Sequence, residues 1–142
     1  ENEFSDFVKL HIDNDLEKRK IVVNREVKIN RGDKTDIYVQ AVEEGEKPFC
    51  VIIEVKGCWN KNLDDAMETQ LVGQYIKTHG NCQQGLYLVA WFYCVQWDNE
   101  DTRKDKNPIS IEEARNKFNK QAEELSKENL TIKAFVMNTA LQ

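Results

Sequence analysis

Long apolar runs, CxxC pairs and clustered histidines are all absent from the 142-residue sequence. A membrane-spanning segment and a zinc site of ordinary ligand spacing are therefore not expected. Four cysteines, at positions 50, 58, 82 and 94, are too few for a disulfide scaffold, so we expect reduced thiols and a cytoplasmic location. Cys50 lies in an apolar run and Cys94 ends another, so both are predicted to be buried, whereas Cys58 and Cys82 flank a predicted helix and are candidates for exposure.

The length is enough for one domain with its own hydrophobic core and too small for two. Residues 1–142 are therefore interpreted as a single domain. The sequence opens at Glu1 without a methionine, a basic leader or a signal-like apolar stretch. We expect from this a domain excised from a longer protein, with other domains of that protein as partners.

The net charge of −5 argues against a nucleic-acid partner, but the charges are unevenly distributed. Between residues 18 and 34 there are seven basic residues opposed by two acidic ones, whereas acids gather at 98–101 and 123–124. The seven are Lys18, Arg19, Lys20, Arg25, Lys28, Arg31 and Lys34. Either this segment forms a basic surface on which Lys28 and Arg31 contact phosphates, or it is the solvated edge of a strand, and both interpretations stay open.

Hydrophobic periodicity predicts an α/β fold, with a central mixed sheet flanked by helices in the order αβββαβαβ. The apolar run at 49–53 predicts a central strand covered on both faces, followed by a helix capped by Asn62. Ser110 and Glu113 have capping-box spacing. The predicted helices span 1–17, 62–79 and 110–127, and the predicted strands span 21–29, 35–42, 49–56, 85–92 and 131–137.

Glu54 and Lys56 are two residues apart at the end of the central strand, so their side chains share a face. If strands 35–42 and 48–56 pair antiparallel, Asp36 approaches Glu54. Two converging carboxylates repel each other unless a cation lies between them, and hard oxygen ligands suit Mg²⁺ or Mn²⁺. The Val55 carbonyl is one further candidate ligand. Lys56 is placed to orient a metal-activated water or to stabilise a developing oxyanion.

Asp36, seventeen intervening residues and then Glu54-Val55-Lys56 on an apolar strand resemble the PD-(D/E)XK nuclease superfamily. The resemblance covers about residues 20–95, with Thr35 where the family usually has proline. It implies a restriction-endonuclease-like core and a Mg²⁺-dependent endonuclease that hydrolyses phosphodiester bonds, in DNA rather than RNA. It also implies an effector domain of a larger protein in restriction or phage defence.

The resemblance extends to further residues. Gln70 and Tyr75 lie on the following helix, where some branches of the superfamily place a glutamine and a tyrosine near the site, although the interval here is one residue longer. A second interpretation is equally open: Gln70 forms hydrogen bonds to the neighbouring backbone, and Tyr75 is an ordinary core residue. Related nucleases often add an upstream glutamate as a metal ligand, which makes Glu26 a candidate, with Glu3 and Glu17 as competitors.

Two rival functions remain. One is an inactive PD-(D/E)XK-like module for nucleic-acid binding or assembly, which the acidic charge favours; the other is a plain α/β interaction module in which Glu54 and Lys56 form a structural salt bridge. A homodimer is an assembly that the sequence leaves open. Of the three tryptophans, Trp91 is predicted to be core, while Trp59, just after Lys56, lies where a base could stack.

Overall fold

A computed structural model describes residues 2–16, 21–25, 28–30, 33–34, 36–41, 48–106 and 108–140. Two α-helices, one π-helix and seven strands are present in these ranges, with a short 3₁₀ turn at Lys104–Lys106. In chain order the elements are α1 (Asn2–Leu16), β1 (Ile21–Arg25), β2 (Lys28–Asn30), β3 (Asp33–Lys34), β4 (Ile37–Ala41), β5 (Phe49–Gly57), the π-helix (Met67–Ile76), β6 (Gln84–Trp91), α2 (Ile111–Leu125) and β7 (Thr131–Asn138).

Five strands form one mixed sheet in the order β1-β4-β5-β6-β7. β4 is antiparallel to both of its neighbours, whereas β5, β6 and β7 are mutually parallel. Parallel neighbours need a crossover connection, which the π-helix provides between β5 and β6 and α2 provides between β6 and β7. The α/β class and the mixed sheet are confirmed.

The prediction of one continuous strand over 21–29 was wrong. β1 ends at Arg25, whose partner Ile37 is the first residue of β4, so the main sheet offers no further partner beyond that point. β2 instead pairs with β3 in a separate two-stranded sheet. The chain thus leaves the main sheet after Arg25 and re-enters it at Ile37, directly after Asp36.

The two faces of β5 belong to different hydrophobic cores, because successive side chains point to opposite sides of a strand. Cys50 and Ile52 pack in the core beneath the π-helix and α2. Ile53 and Val55 pack in the core on the face covered by α1, where they join Val8. Glu54 and Lys56 therefore project toward the side of the π-helix.

The two α-helices largely follow the predictions. α1 runs from Asn2 to Leu16 without a break, within the predicted span of 1–17, and Lys9 pairs with Asp13 one turn later. α2 begins with the predicted capping box, since the Ser110 hydroxyl accepts a hydrogen bond from Glu113 N and the Glu113 carboxylate accepts one from Ser110 N. α2 ends at Leu125, two residues before the predicted position.

The helix after β5 departs most from expectation. It begins at Met67 rather than next to Asn62, and Lys77 N donates to Val72 O, five residues back, as in a π-helix. The cause of the late start lies in Leu63, which is buried and whose carbonyl accepts a hydrogen bond of 2.6 Å from the Tyr87 hydroxyl. Residues 61–65 therefore form turns that are held to the sheet.

All four cysteines are free, as predicted. Cys58 and Cys82 are nevertheless buried rather than exposed. Burial raises the pKa of the Cys58 thiol and raises that of Cys82 to about 12. Both thiols are therefore protonated and unreactive at neutral pH. Only Cys94 is partly accessible.

Within the described ranges, no helix combines the length and the apolar character needed to cross a bilayer.

Candidate functional site

Three charged residues occupy neighbouring positions where β4 begins and β5 ends. Ile37 pairs with Ile53, so the next antiparallel position brings Asp36 beside Glu54. Glu54 and Lys56 share its face of the sheet, and they are only 1% and 7% exposed. The residues that the sequence singled out are thus brought together on one face.

Asp36 is fixed by the backbone of β5. Its Oδ2 accepts a hydrogen bond of 2.8 Å from Val55 N, so the carboxylate takes the position of a ladder acceptor just outside β4. In an antiparallel ladder, the N–H and C=O of one residue point toward the same neighbouring strand. The Val55 carbonyl therefore points to the same side as the Asp36 carboxylate, which is where a shared ligand would need it.

Lys56 and Glu54 form a buried ion pair, in which the Lys56 ammonium donates to Glu54 Oε1. Removing both charges from water is expensive, and mutual attraction often fails to offset that cost. Hydrophobic residues of similar size would fill the same two positions without the free-energy cost of desolvating charges. A buried pair of this kind is therefore a weak source of stability and a reason to look for a function.

The residues at this site fit a hard divalent cation. The Asp36 and Glu54 carboxylates and the Val55 carbonyl are oxygen donors of the kind that Mg²⁺ and Mn²⁺ prefer. Among the described residues, no group of three or more His, Cys, Asp or Glu side chains is placed to hold a metal ion. Two carboxylates with a main-chain carbonyl and water would make an open site, in which substrate oxygens complete the coordination.

Gln70 lies on the π-helix, which contacts the face of β5 that carries Glu54 and Lys56. Its Oε1 is buried and has no hydrogen-bond partner in the part of the chain that the structure describes. Buried polar atoms are nearly always hydrogen-bonded, so this oxygen requires an explanation. Tyr75, by contrast, is buried in the hydrophobic core beneath the same helix, which favours its interpretation as packing.

Several predicted residues cannot be placed. Glu26, Arg31 and Glu17 lie outside the described residues, as do Lys18, Arg19 and Lys20 of the basic segment. The backbone of Lys28 lies in β2. Glu3 is exposed on α1 and lines the cavity that is described below. The roles of these residues stay predictions.

A cavity of about 510 Å³ lies at the carboxyl ends of β5, β6 and β7. Its walls include Trp59, Phe92 and Trp97, and Arg103 closes one side. Ligands of α/β proteins bind outside the carboxyl ends of parallel strands. Aromatic residues directly after two such strands are therefore the feature of the sequence that could have indicated this cavity. From the sequence, only Trp59 was predicted to lie where a base could stack. The long loop after β6 gave no indication that Trp97 contacts Trp59.

Trp91 is 2% exposed and belongs to the core, as predicted. Tyr87, the register partner of Glu54, was not singled out, although its hydroxyl holds Leu63 and its ring contacts Phe118 of α2. Tyr87 thus positions the π-helix and α2 on the face of the sheet that carries the charged residues.

A family model described as "Domain of unknown function (DUF8371)" matches residues 1–93. The matched part extends from α1 through β6 and contains Asp36, Glu54, Lys56 and Gln70, whereas α2 and β7 lie beyond it. No curated protein and no solved structure matches the chain.

Proposed function

We propose that this chain, which belongs to the DUF8371 family of unknown function, is a metal-dependent nuclease with a restriction-endonuclease-like core. One observation carries the proposal. Asp36, which is partly exposed, accepts a hydrogen bond from the backbone of Val55, between the two buried charged residues Glu54 and Lys56. A structural salt bridge between Glu54 and Lys56 would not need a second carboxylate at this point.

The PD-(D/E)XK resemblance agrees with this geometry. The aspartate precedes a strand antiparallel to the one that carries Glu54 and Lys56, and a crossover helix leads from there to a parallel strand. The other rival, a plain α/β interaction module, would be favoured by an Asp36 that points away from Glu54. The hydrogen bond from Val55 N holds the Asp36 carboxylate against β5, which supports the nuclease proposal.

Each residue has a distinct role in the proposed reaction. Asp36, Glu54 and the Val55 carbonyl would hold Mg²⁺ or Mn²⁺, which when bound lowers the pKa of water and offsets phosphate charge. Lys56, held by Glu54, orients the attacking water and stabilises the charge that develops on the phosphate. Gln70 would orient substrate or a ligand through its buried Oε1.

DNA is the proposed substrate, with RNA as the alternative, and an effector domain of a larger cytoplasmic defence protein is the proposed context. Lys28 and Arg31 are proposed phosphate contacts. A catalytically inactive module for nucleic-acid binding is the second candidate, which the net charge of −5 favours because strong phosphate binding relies on lysine and arginine.

Cleavage assays separate these two functions. The purified chain is incubated with plasmid DNA and with RNA in Mg²⁺, in Mn²⁺ and in EDTA. We expect cleavage with either ion and none in EDTA. Glu54→Gln is expected to reduce the rate by about 100-fold or more, because the amide keeps an acceptor for Lys56 but loses the charge that binds the ion.

Glu124→Gln, on the exposed side of α2, is the matched control and should keep the wild-type rate. Binding without cleavage under all conditions would establish the inactive module instead.

Gln70→Met tests the role of the buried amide oxygen of Gln70. Methionine has a similar shape and removes the buried acceptor, so the free energy of unfolding should stay the same or rise by about 1 kcal/mol. Cleavage should fall by about tenfold, because the orienting contact is lost. Urea unfolding and the plasmid assay measure the two effects.

Gln121→Met is the comparison for Gln70→Met. Gln121 Nε2 donates to the Asp64 carbonyl at 2.9 Å, so its loss should cost about 1 kcal/mol without affecting cleavage. If Gln70→Met destabilises the fold as Gln121→Met does, then Gln70 makes a structural hydrogen bond and has no special role.

A further inference from the structure

The aromatic cavity adjoins the candidate catalytic strand directly. A Cβ atom placed on Gly57 would lie 2.6 Å from two carbon atoms of the Trp59 ring, so the indole rests against the backbone of Gly57. Gly57 follows Lys56, the residue proposed to orient the attacking water. Successive side chains point to opposite sides of a strand, so the Gly57 position faces the side that carries Val55, and the cavity lies around the end of β5 from the proposed reaction centre.

The walls of this cavity suit a flat aromatic ligand. The Trp59 and Phe92 rings lie 5.1 Å apart at 49°, and Trp97 meets Trp59 edge to face at 6.5 Å. Trp59, Phe92 and Trp97 are all partly exposed. Large aromatic side chains usually bury their faces, so a cluster that lines an open cavity at the end of a strand offers stacking surface. The volume of about 510 Å³ is in the range of small-molecule sites.

A polar network fixes these rings in advance of binding. Asp101 accepts a hydrogen bond of 2.9 Å from Trp97 Nε1 and also binds the Arg103 guanidinium, whose carbon lies 5.6 Å from the centre of the Trp59 ring. Hydrogen bonds from Arg103 and then Trp97 hold the pKa of Asp101 below its usual range, so the network stays charged at neutral pH. A preorganised cavity loses little entropy when it binds.

The remaining polar groups of the cavity indicate which ligands it prefers. Glu3, Gln96 and Asp98 lie at its rim. Carboxylates accept hydrogen bonds from exocyclic amines, as in the pairing of acidic side chains with the cytosine amine. They also repel phosphate, which argues that a base rather than a phosphate enters.

We propose that this cavity receives one unstacked nucleobase of the substrate strand and prefers bases with an exocyclic amine to thymine or uracil. The chain would then act on single-stranded or locally unpaired nucleic acid, because a base inside a duplex cannot stack on these rings. The identification of the ligand as substrate rests on the proposed nuclease function; the base-binding site itself does not require cleavage.

Binding in EDTA tests the site without the reaction. Fluorescence anisotropy at one fixed salt concentration compares short labelled oligodeoxycytidine, oligothymidine and a mixed-sequence duplex. We expect the single strand to bind at least about 10-fold more tightly than the duplex, with cytidine favoured over thymidine by several-fold. Trp97→Ala should weaken single-strand binding by about 10-fold.

Phe135→Ala is the matched control, since Phe135 is an exposed aromatic residue on the strand β7 and does not line the cavity. It should leave binding unchanged. Equal affinity for single strand and duplex, or single-strand binding that does not respond to Trp97→Ala, would overturn the proposal.

Alkylation of Cys94 gives a second measurement that needs no variant. Cys94 lines the cavity and is partly accessible, whereas the other three cysteines are buried. Iodoacetamide modification followed by mass spectrometry should be slowed several-fold by oligodeoxycytidine and hardly at all by the duplex. Absence of protection at saturating oligonucleotide would overturn the proposal even if Trp97→Ala fails to fold.

The two proposals fail separately. Protection of Cys94 without any cleavage would leave the base site standing and refute the nuclease. Cleavage of a duplex without selective protection of Cys94 would leave the nuclease standing and refute the base site.

Discussion

Asp36→Asn is expected to reduce Mg²⁺-dependent cleavage by at least about 1000-fold, equivalent to about 4 kcal/mol of transition-state stabilisation. The fold should survive, because the asparagine oxygen can still accept the hydrogen bond from Val55 N. Only the negative charge, and with it the affinity for the cation, is removed. Plasmid cleavage under single-turnover conditions and urea unfolding measure the two properties side by side.

Asp36→Ala is the informative companion to Asp36→Asn. It removes both the charge and the acceptor for Val55 N, so it should be as inactive but also less stable, by about 1–3 kcal/mol. If Asp36→Asn cleaves at the wild-type rate, then the carboxylate serves only to end the strand pairing, and the proposed function is wrong.

Lys56→Met is expected to lower the free energy of unfolding by about 3–5 kcal/mol, because it leaves the Glu54 carboxylate buried without its cation. Glu54→Leu should cost a similar amount by isolating the Lys56 ammonium. The double variant Glu54→Leu/Lys56→Met should recover most of the lost stability, since buried pairs are often replaced by hydrophobic residues without loss. None of the three should cleave nucleic acid.

The exposed ion pair between Lys117 and Asp64 provides the comparison. Its partners are 43% and 54% exposed, so Lys117→Met should change stability by no more than about 1 kcal/mol and leave cleavage intact. A double variant at positions 54 and 56 that stays as unstable as the single variants would show that the pair is needed for the fold. A double variant that cleaves would exclude both residues from the reaction.

The α/β class, the mixed sheet and the central strand could be predicted because they depend on local patterns. The apolar run of β5 has the length and composition of a doubly covered strand, and the capping box of α2 is a four-residue signal. The register that places Asp36 opposite Glu54 was predicted for the same reason. Antiparallel pairing of two neighbouring strands and strict alternation of side chains determine it.

What could not be predicted depends on contacts between distant parts of the chain. Asn62 was a sound capping residue, yet the hydrogen bond from Tyr87, 24 residues away, holds Leu63 in the core and delays the helix to Met67. The wider winding of that helix was not predicted either. The aromatic cavity likewise joins Trp59 to a loop beyond β6.

The parallel pairing of β6 with β7 means that the matched residues 1–93 lack part of the folded sheet. Residues 1–93 end just after β6, so a protein expressed to that boundary would lack the strand that pairs along the whole of β6. It would also lack Ala114 and Phe118 of α2, which fill the core above the sheet. An uncovered apolar strand with a bare edge is a template for aggregation. The smallest unit that folds is therefore longer than the segment by which the family is recognised.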